Sequence, residues 1–194
     1  MAPPVLLVHG IWDDGARFDR MAAALSERGL GPVATVDLKP NDGRAPIERL
    51  AEQVERAAAP LLADAGRIDL VGFSMGALVS RYWVQRMQGK ARTRRFVSIS
   101  GPHAGTLTAW GMPFDGVRQM RPRSALLEDL ASDDDPWGDV EVHTVWTPFD
   151  LMILPPRSSR LKQAYADHRL PVPMHRFMIT DRRALDRVTE ILGA

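Results

Sequence analysis

The stretch DLVGFSMGALVSRYWVQ, residues 69–85, decides the fold. An apolar run typical of a buried strand leads into Gly72, and a helical pattern follows Gly76. Between them stands Ser74, at the centre of a Gly-x-Ser-x-Gly motif. A sharp turn from strand to helix strains a serine backbone, and glycines two places away remove side chains that would collide. The stretch therefore predicts a serine hydroxyl raised above a sheet, beside a helix N-terminus that favours negative charge. The simpler alternative is that Ser74 only caps the helix.

Apolar strand-like runs alternate with helical patterns along the whole chain. The predicted strands are residues 4–8, 33–38, 68–72, 96–100 and 140–147, with a short sixth at 172–174. The predicted helices are 17–29, 46–65 with an end or kink near Pro60, one from the third strand to about 87, and 181–192. This alternation predicts an α/β fold whose parallel sheet carries helices on both faces. Side chains distant in sequence then meet at the carboxyl edge of the sheet.

The length and composition are typical of one globular domain, predicted to span residues 1–194. Basic and acidic residues nearly balance, with a net charge of +1, so no nucleic acid or anionic membrane is expected as a partner. The chain has no cysteine, which excludes thiolate nucleophiles, disulfides and cysteine zinc sites. No apolar run approaches the roughly 18 residues of a membrane helix. The sequence starts without a charged leader region, so a cytoplasmic protein is expected, with a processed exported form as the alternative.

A serine nucleophile needs a base within hydrogen-bond reach, normally histidine. The chain has five histidines: His9, His103, His143, His168 and His175. In the chain order serine, acid, histidine, the base comes late in the sequence. We favour His175, because it directly follows the last predicted strand, and His168 is the alternative.

The base in turn needs an orienting acid, and the oxyanion needs donors. Asp150 is the predicted acid because it ends the strand-like run EVHTVWTPFD at the carboxyl edge, although it could also simply cap a turn. The competing acids at 133–135 form a charge run typical of a solvated loop. By position, the backbone N–H groups of Ile11 and Met75 are the predicted oxyanion donors.

Together these motifs resemble the α/β-hydrolase superfamily, and more narrowly the small bacterial class 2 lipases and esterases. VLLVHGIW resembles the first core strand with its oxyanion loop, VGFSMG the nucleophile elbow, ISGPHAGT a segment common in lipases, TPFDLMI the acid turn and MHRFMITD the histidine loop. The likeness covers nearly the whole chain. The chain departs from the family pattern at Phe73, Ala77 and Gly101, where relatives commonly carry histidine, glycine and serine.

The resemblance implies a reduced α/β-hydrolase fold of about six mostly parallel strands, in a single domain without a large cap. It implies Ser74 as nucleophile, His175 as base and Asp150 as acid, with the oxyanion held by the amides of Ile11 and Met75. The implied activity is hydrolysis of carboxylic esters, as in an esterase or lipase, through an acyl-enzyme intermediate.

The implied substrate is a small-molecule ester or lipid, and no metal or organic cofactor is expected. Thioesterases, amidases and acyltransferases use the same triad, so the sequence leaves them open. A non-catalytic protein of this fold that binds a lipid or a partner is the rival. Trp12, His103 and Trp110 are candidate substrate-binding residues. Two interpretations stay open for Trp110, Met112, Phe114 and Met120: they line an acyl pocket, or they pack as an ordinary helix-bearing loop. A small or absent lid favours short-to-medium acyl chains.

Overall fold

The computed structural model describes residues 2–194. The strands are β1 (Val5–Val8), β2 (Val33–Val36), β3 (Ile68–Phe73), β4 (Thr93–Ile99), β5 (Glu141–Trp146) and β6 (Ala166–Arg169). They form one sheet in the order β2-β1-β3-β4-β5-β6, and every neighbouring pair is parallel. The order reverses beside β1, so the carboxyl ends of β1 and β3 lie next to each other, where ligands bind in open parallel sheets.

Within residues 2–194, seven α-helices connect and cover the strands. They are α1 (Asp19–Glu27), α2 (Ile47–Ala65), α3 (Met75–Arg86), α4 (Gly89–Arg92), α5 (Asp115–Gln119), α6 (Ala125–Ala131) and α7 (Arg182–Gly193). Short 3-10 helices occupy Gly15–Phe18, Leu107–Gly111, Pro156–Ser159 and His175–Ile179. Among residues 2–194, no helix combines the length and the apolar character needed to cross a membrane.

The core lies in two layers, one on each face of the sheet. Successive side chains of a strand point to opposite faces, and β1 shows this directly. Leu6 and Val8 pack into the layer under α2 and α3. Val5 and Leu7 pack into the layer under α1 and α7. The predicted α/β fold with helices on both faces is therefore confirmed.

One local prediction was wrong. Residues 172–174 do not form the sixth strand, because Pro171 and Pro173 have no N–H group to donate to a ladder. The sixth strand is β6, whose sequence Ala-Asp-His-Arg lacks an apolar pattern because the strand is a half-exposed edge. The predicted extent of α2 is confirmed, and of the two alternatives at Pro60 the helix does not end there. It runs on to Ala65 and ends at Gly66, which takes a φ of 71° that favours glycine.

Candidate active site

Ser74 occupies the turn between β3 and α3. Its backbone has φ 54° and ψ −123°, a strained conformation for any residue with a side chain. The flanking glycines are required by close contacts. A Cβ atom on Gly72 would lie 2.6 Å from the Ala77 Cα, and one on Gly76 would lie 2.2 Å from the His9 carbonyl oxygen. The chain thus places Ser74 on a turn that only this glycine spacing can form.

His175 and Asp150 form a hydrogen-bonded pair. The His175 Nδ1 donates to Asp150 Oδ2 over 2.7 Å. The Asp150 carboxylate is 1% exposed, and its Oδ1 accepts from the backbone N–H groups of Met152 and Ile153 at 2.9 and 2.8 Å. This network holds the imidazole with Nε2 as the nitrogen left to accept a proton. The Phe73 ring supports the imidazole from one side, with ring centroids 4.8 Å apart.

A cavity of about 480 Å³ contains both Ser74 and His175 in its wall. Several further lining residues carry large apolar side chains that are unusually exposed, a sign of a binding surface rather than a core. They are Trp12, Phe149, Leu151, Met152 and Met174. We refer to this space as the main cavity. Trp12 was predicted to line the site, whereas the others were missed because nothing in their spacing marks them as neighbours.

A smaller pocket of about 80 Å³ adjoins the main cavity and also reaches Ser74. We refer to it as the side pocket. It shares Ile11, Trp12, Ser74 and Met152 with the main cavity. Met112 and Met120, predicted for an acyl pocket, line it.

The two aromatic residues predicted for that pocket lie elsewhere. Trp110 is 63% exposed, and the Arg121 guanidinium lies 4.5 Å from the centre of its ring. Phe114 likewise lies against the guanidinium of Arg44, at 5.1 Å. Neither lines the main cavity or the side pocket. Trp110 thus stacks on arginine at the surface, whereas Phe114 is half-buried and packs against the core layer under α2 and α3.

The loop that carries Ile11 is held by a histidine whose role the sequence did not reveal. His9 Nδ1 donates to the Gly10 carbonyl at 2.8 Å, and its Nε2 accepts from the Leu38 N–H at 2.9 Å. His9 is buried, so these bonds fix the end of β1 against the segment after β2. Met75, the other predicted donor, is the first residue of α3, where backbone N–H groups lack partners within the helix.

The alternative base, His168, lies in β6 rather than in a loop. Its Nε2 is 3.1 Å from His143 Nδ1 in the neighbouring strand. Burial lowers the pKa of both histidines, and that of His143, which also faces His168, falls to about 4. Neither residue lines the main cavity.

His103, a candidate substrate-binding residue, lines neither the main cavity nor the side pocket. It is 4% exposed, and its Nε2 is 2.6 Å from the hydroxyl oxygen of Ser98 in β4. It lines a separate cavity of about 320 Å³ together with Arg81. Burial, aided by the positive charge of Arg81, lowers the pKa of His103 well below its usual value. The ring turns inward because the Ser98 hydroxyl is its hydrogen-bond partner.

Among residues 2–194, no group of three or more histidine and carboxylate side chains is arranged to hold a metal ion.

Comparison with known proteins gives the family and the fold. The model of the family described as palmitoyl protein thioesterase matches residues 4–147. The human protein named lysosomal thioesterase PPT2 is 34% identical over 106 residues, which are 53% of this chain and 34% of that protein. Its mouse counterpart is 33% identical over the same length. The chain thus spans about a third of the length of these curated relatives.

Two solved structures with the same fold are a lipase and a pyrethroid hydrolase. The mature lipase BlEst2 of Bacillus licheniformis superposes with a TM-score of 0.83 at 15% identity, covering 98% of this chain and 92% of that one. A pyrethroid hydrolase from Sphingobium faniae JZ-2 gives a TM-score of 0.72 at 16% identity, covering 100% and 98%. At these identities the likeness shows the fold alone. The predicted α/β-hydrolase fold is confirmed, whereas the cytoplasmic location stays a prediction.

Proposed function

Because this chain belongs to the palmitoyl protein thioesterase family, we propose that it is a serine hydrolase that cleaves carboxylic esters or thioesters through an acyl-enzyme intermediate. One observation carries the proposal. The buried Asp150 carboxylate accepts a hydrogen bond from His175, and His175 lines the same cavity as a serine on a strained strand-to-helix turn. An acid, a base and a nucleophile so arranged have the roles that acyl transfer requires.

The proposed reaction runs in two steps. Ser74 Oγ attacks the substrate carbonyl carbon while His175 Nε2 takes the hydroxyl proton. The tetrahedral intermediate collapses, the bond to the leaving group breaks, and His175 returns the proton to that leaving group. Water then attacks the acyl-enzyme with His175 again as base, which releases the acid and restores Ser74. Asp150 stabilises the imidazolium in both steps and does not itself take the proton.

Charge on the carbonyl oxygen is proposed to be stabilised by the backbone amides of Ile11 and Met75. The Met75 amide begins α3, whose dipole also favours an anion there. His9 fixes the loop before Ile11 through its bonds to Gly10 and Leu38, so the donor is in place before substrate arrives. Such preorganised donors need no rearrangement as charge develops.

Ester hydrolysis is the primary activity that we propose, and thioester hydrolysis is the second candidate. The family match favours the thioester, since the model and the mammalian relatives carry thioesterase in their names. The site chemistry is the same for both, because the triad acts on the shared carbonyl. The non-catalytic rival is disfavoured by the Asp150–His175 pair, since a binding protein needs no buried carboxylate behind a histidine.

We also propose that residues 1–194 act as one domain located in the cytoplasm. The single sheet with a core layer on each face supports the proposal of one domain. Limited proteolysis that yields a stable half of the chain would contradict it. Cell fractionation with an antibody tests the location.

A fluorescent fluorophosphonate, followed by mass spectrometry of the adduct, tests the proposed site. We expect labelling at Ser74 that disappears in Ser74→Ala and falls sharply in His175→Ala. His168→Ala is the matched control, because that histidine lies in β6 outside the main cavity, and it should label like the wild type. Folded protein without any adduct, or an adduct at another serine, would overturn the proposal.

Rates on an acyl ester and on the thioester of the same acid then separate the two candidates. The Ser74→Ala variant supplies the background rate for both substrates. A kcat/KM for the thioester that exceeds the ester value, after correction for the uncatalysed rates, would make thioester hydrolysis the main activity.

A further inference from the structure

The cavity of about 320 Å³ that His103 lines does not overlap the proposed active site. It shares no lining residue with the main cavity or the side pocket. Its wall is built mainly from α3, α6 and the segments that precede β5 and β6. We refer to it as the arginine cavity, because the buried side chain of Arg81 lines it.

Arg81 is a buried cation whose hydrogen-bond partners are all neutral. It lies on α3 and is 5% exposed. Its guanidinium donates to the side-chain oxygen of Gln85 at 2.8 Å, and to the carbonyls of His103 and Leu130 at 3.2 and 2.6 Å. A guanidinium has five N–H donors, so two of them remain for another acceptor. Buried charges are normally paired with an opposite charge, so an anion would complete this arrangement.

His103 leaves a second polar atom without a partner. Its Nε2 is bonded to the Ser98 hydroxyl, whereas its Nδ1 is buried and has no hydrogen-bond partner among residues 2–194. Burial and the charge of Arg81 lower the pKa of this ring, which is therefore neutral near pH 7. When the Ser98 hydroxyl donates to Nε2, the ring proton lies on Nδ1. A neutral His103 then has a free N–H donor, in the residue whose carbonyl Arg81 already contacts.

The charge of the wall also favours an anion. The charged residues that line the cavity are Arg81, Arg123, Arg160, Lys162, Glu128 and Asp133. Two of these residues are paired with partners outside the cavity, Asp133 with Arg86 at 2.7 Å and Arg160 with Asp167 at 3.1 Å. Three cations and one carboxylate remain, which gives the cavity a positive potential.

Most of the remaining wall is apolar. The larger apolar residues that form it, all buried or half-buried, are Leu127, Leu130, Pro136, Trp137 and Leu161. We propose that the arginine cavity is a second ligand site, which binds an organic carboxylate with an apolar body. The carboxylate accepts hydrogen bonds from Arg81 and His103, and the apolar wall contacts the rest of the ligand. This inference does not depend on the proposed hydrolase function, because Ser74 does not line this cavity.

Octanoate, octan-1-ol and octylammonium test the proposal, since they share a tail and differ in the charge of the head. Trp137 lines the arginine cavity and Trp12 lines the main cavity, so their indole N–H signals in proton–nitrogen correlation spectra report which cavity is filled. Trp137→Phe and Trp12→Phe assign the two signals. Near pH 7, octanoate should shift the Trp137 signal saturably, with a Kd about tenfold or more below that of octanol. Octylammonium should leave that signal unshifted.

Four variants test the charges. Arg123 and Glu128 are exposed in the wall, so Arg123→Gln should weaken octanoate binding several-fold and Glu128→Gln should strengthen it several-fold. Arg176→Gln is the matched control, because Arg176 is an exposed arginine of the main cavity, and the Trp137 titration should stay unchanged. Arg81→Gln should abolish the preference for octanoate over octanol. If that variant does not fold, the Arg123 and Glu128 variants decide.

The outcomes separate this proposal from the proposed function. A shift of the Trp12 signal alone would place octanoate in the main cavity and overturn the second site. Equal affinities for octanoate and octanol would show that the cavity selects the tail alone, which would overturn the carboxylate assignment. Failure of Ser74 to take the fluorophosphonate would leave the second site standing, since Ser74→Ala should bind octanoate with an unchanged Kd.

Discussion

Two serine–histidine neighbourhoods lie at the same edge of the sheet, and they differ in what surrounds the imidazole. In one, His103 contacts the Ser98 hydroxyl at 2.6 Å, with both residues buried and the cation of Arg81 nearby. In the other, His175 donates to the Asp150 carboxylate and lines an open cavity with Ser74. The first pair makes a direct serine–histidine contact, yet no carboxylate orients its imidazole and it does not line the main cavity.

The difference lies in charge and access. Burial and a neighbouring guanidinium lower the pKa of His103, so this ring resists the proton that a general base must accept. Behind His175, by contrast, lies the Asp150 carboxylate, a negative charge that stabilises the imidazolium formed during acyl transfer. A serine–histidine contact is therefore a poor sign of catalysis unless an acid and a solvent-reachable cavity accompany it.

The largest expected contrast is between the two serines. Ser74→Ala should lower kcat by a factor on the order of 10³ to 10⁶, since it removes the nucleophile. Ser98→Ala should leave kcat within a few-fold and instead lower the free energy of unfolding by about 1–3 kcal/mol, because it leaves a buried ring nitrogen without its partner. Kinetics on one ester and urea unfolding of both variants measure this. Equal losses of activity would remove the distinction.

Asp150→Asn should lower kcat by a factor on the order of 10³ to 10⁴. The amide keeps the shape of the side chain, but it no longer stabilises the imidazolium and favours the wrong tautomer of His175. KM should change little, because the carboxylate is buried behind the histidine and does not face substrate. A variant that retains wild-type kcat would show that another group orients the base.

The free energy of unfolding should depend on pH because two histidines, His103 and His143, have lowered pKa values in the folded protein. The pKa of His103 lies well below 6.5 in the folded protein, and that of His143 is about 4. The unfolded chain binds these protons near pH 6.5 and the folded chain does not, so stability is lost as pH falls below about 6.5. Each histidine contributes a slope of up to about 1.4 kcal/mol per pH unit.

Urea unfolding at pH 7, 6 and 5 measures the slope. In each of the two variants, His103→Gln and His143→Gln, the unfolding free energy should change less with pH than in the wild type. An unchanged slope in both variants would mean that these rings accept protons in the folded protein.

The smallest effect concerns the ring beneath the base. Phe73→Leu should lower kcat by roughly 2- to 10-fold, because a contact between aromatic rings is worth about 0.5–1.5 kcal/mol. Fluorophosphonate labelling of Ser74 should persist at a reduced rate. A faster enzyme would mean that the ring restrains His175 rather than supports it.

Most of the fold could be predicted from the sequence for two reasons. The inner strands are apolar, and the turn at Ser74 requires glycine two places before and two places after the serine. The runs around Val5–Val8 and Ile68–Phe73 and the glycines around Ser74 each require a particular backbone. Asp150 could be placed because it follows β5, whereas His175 was chosen for following a strand at 172–174 that does not form, and it pairs with Asp150 from the loop after β6. Their contact is now visible, while their catalytic roles await the labelling experiment.

The sequence could not predict the direction in which a side chain points, and two candidate residues show this. His103 follows β4 at the same edge as the other candidates, yet its ring turns back to Ser98. Trp110 lies in the expected segment but stacks on Arg121 at the surface. Position along the chain fixes which edge a residue occupies, and only packing decides where its side chain points.

The polar character that hid β6 from the sequence pattern has a consequence for the protein in concentrated solution. An open sheet leaves unpaired N–H and C=O groups along its outer strand, which can recruit a strand from another molecule. On β6, Asp167 is already engaged by the Thr144 hydroxyl and by Arg160, and Arg169 remains exposed. Charged groups on a short outer strand oppose edge-to-edge aggregation, so this side of the molecule is protected against fibril growth.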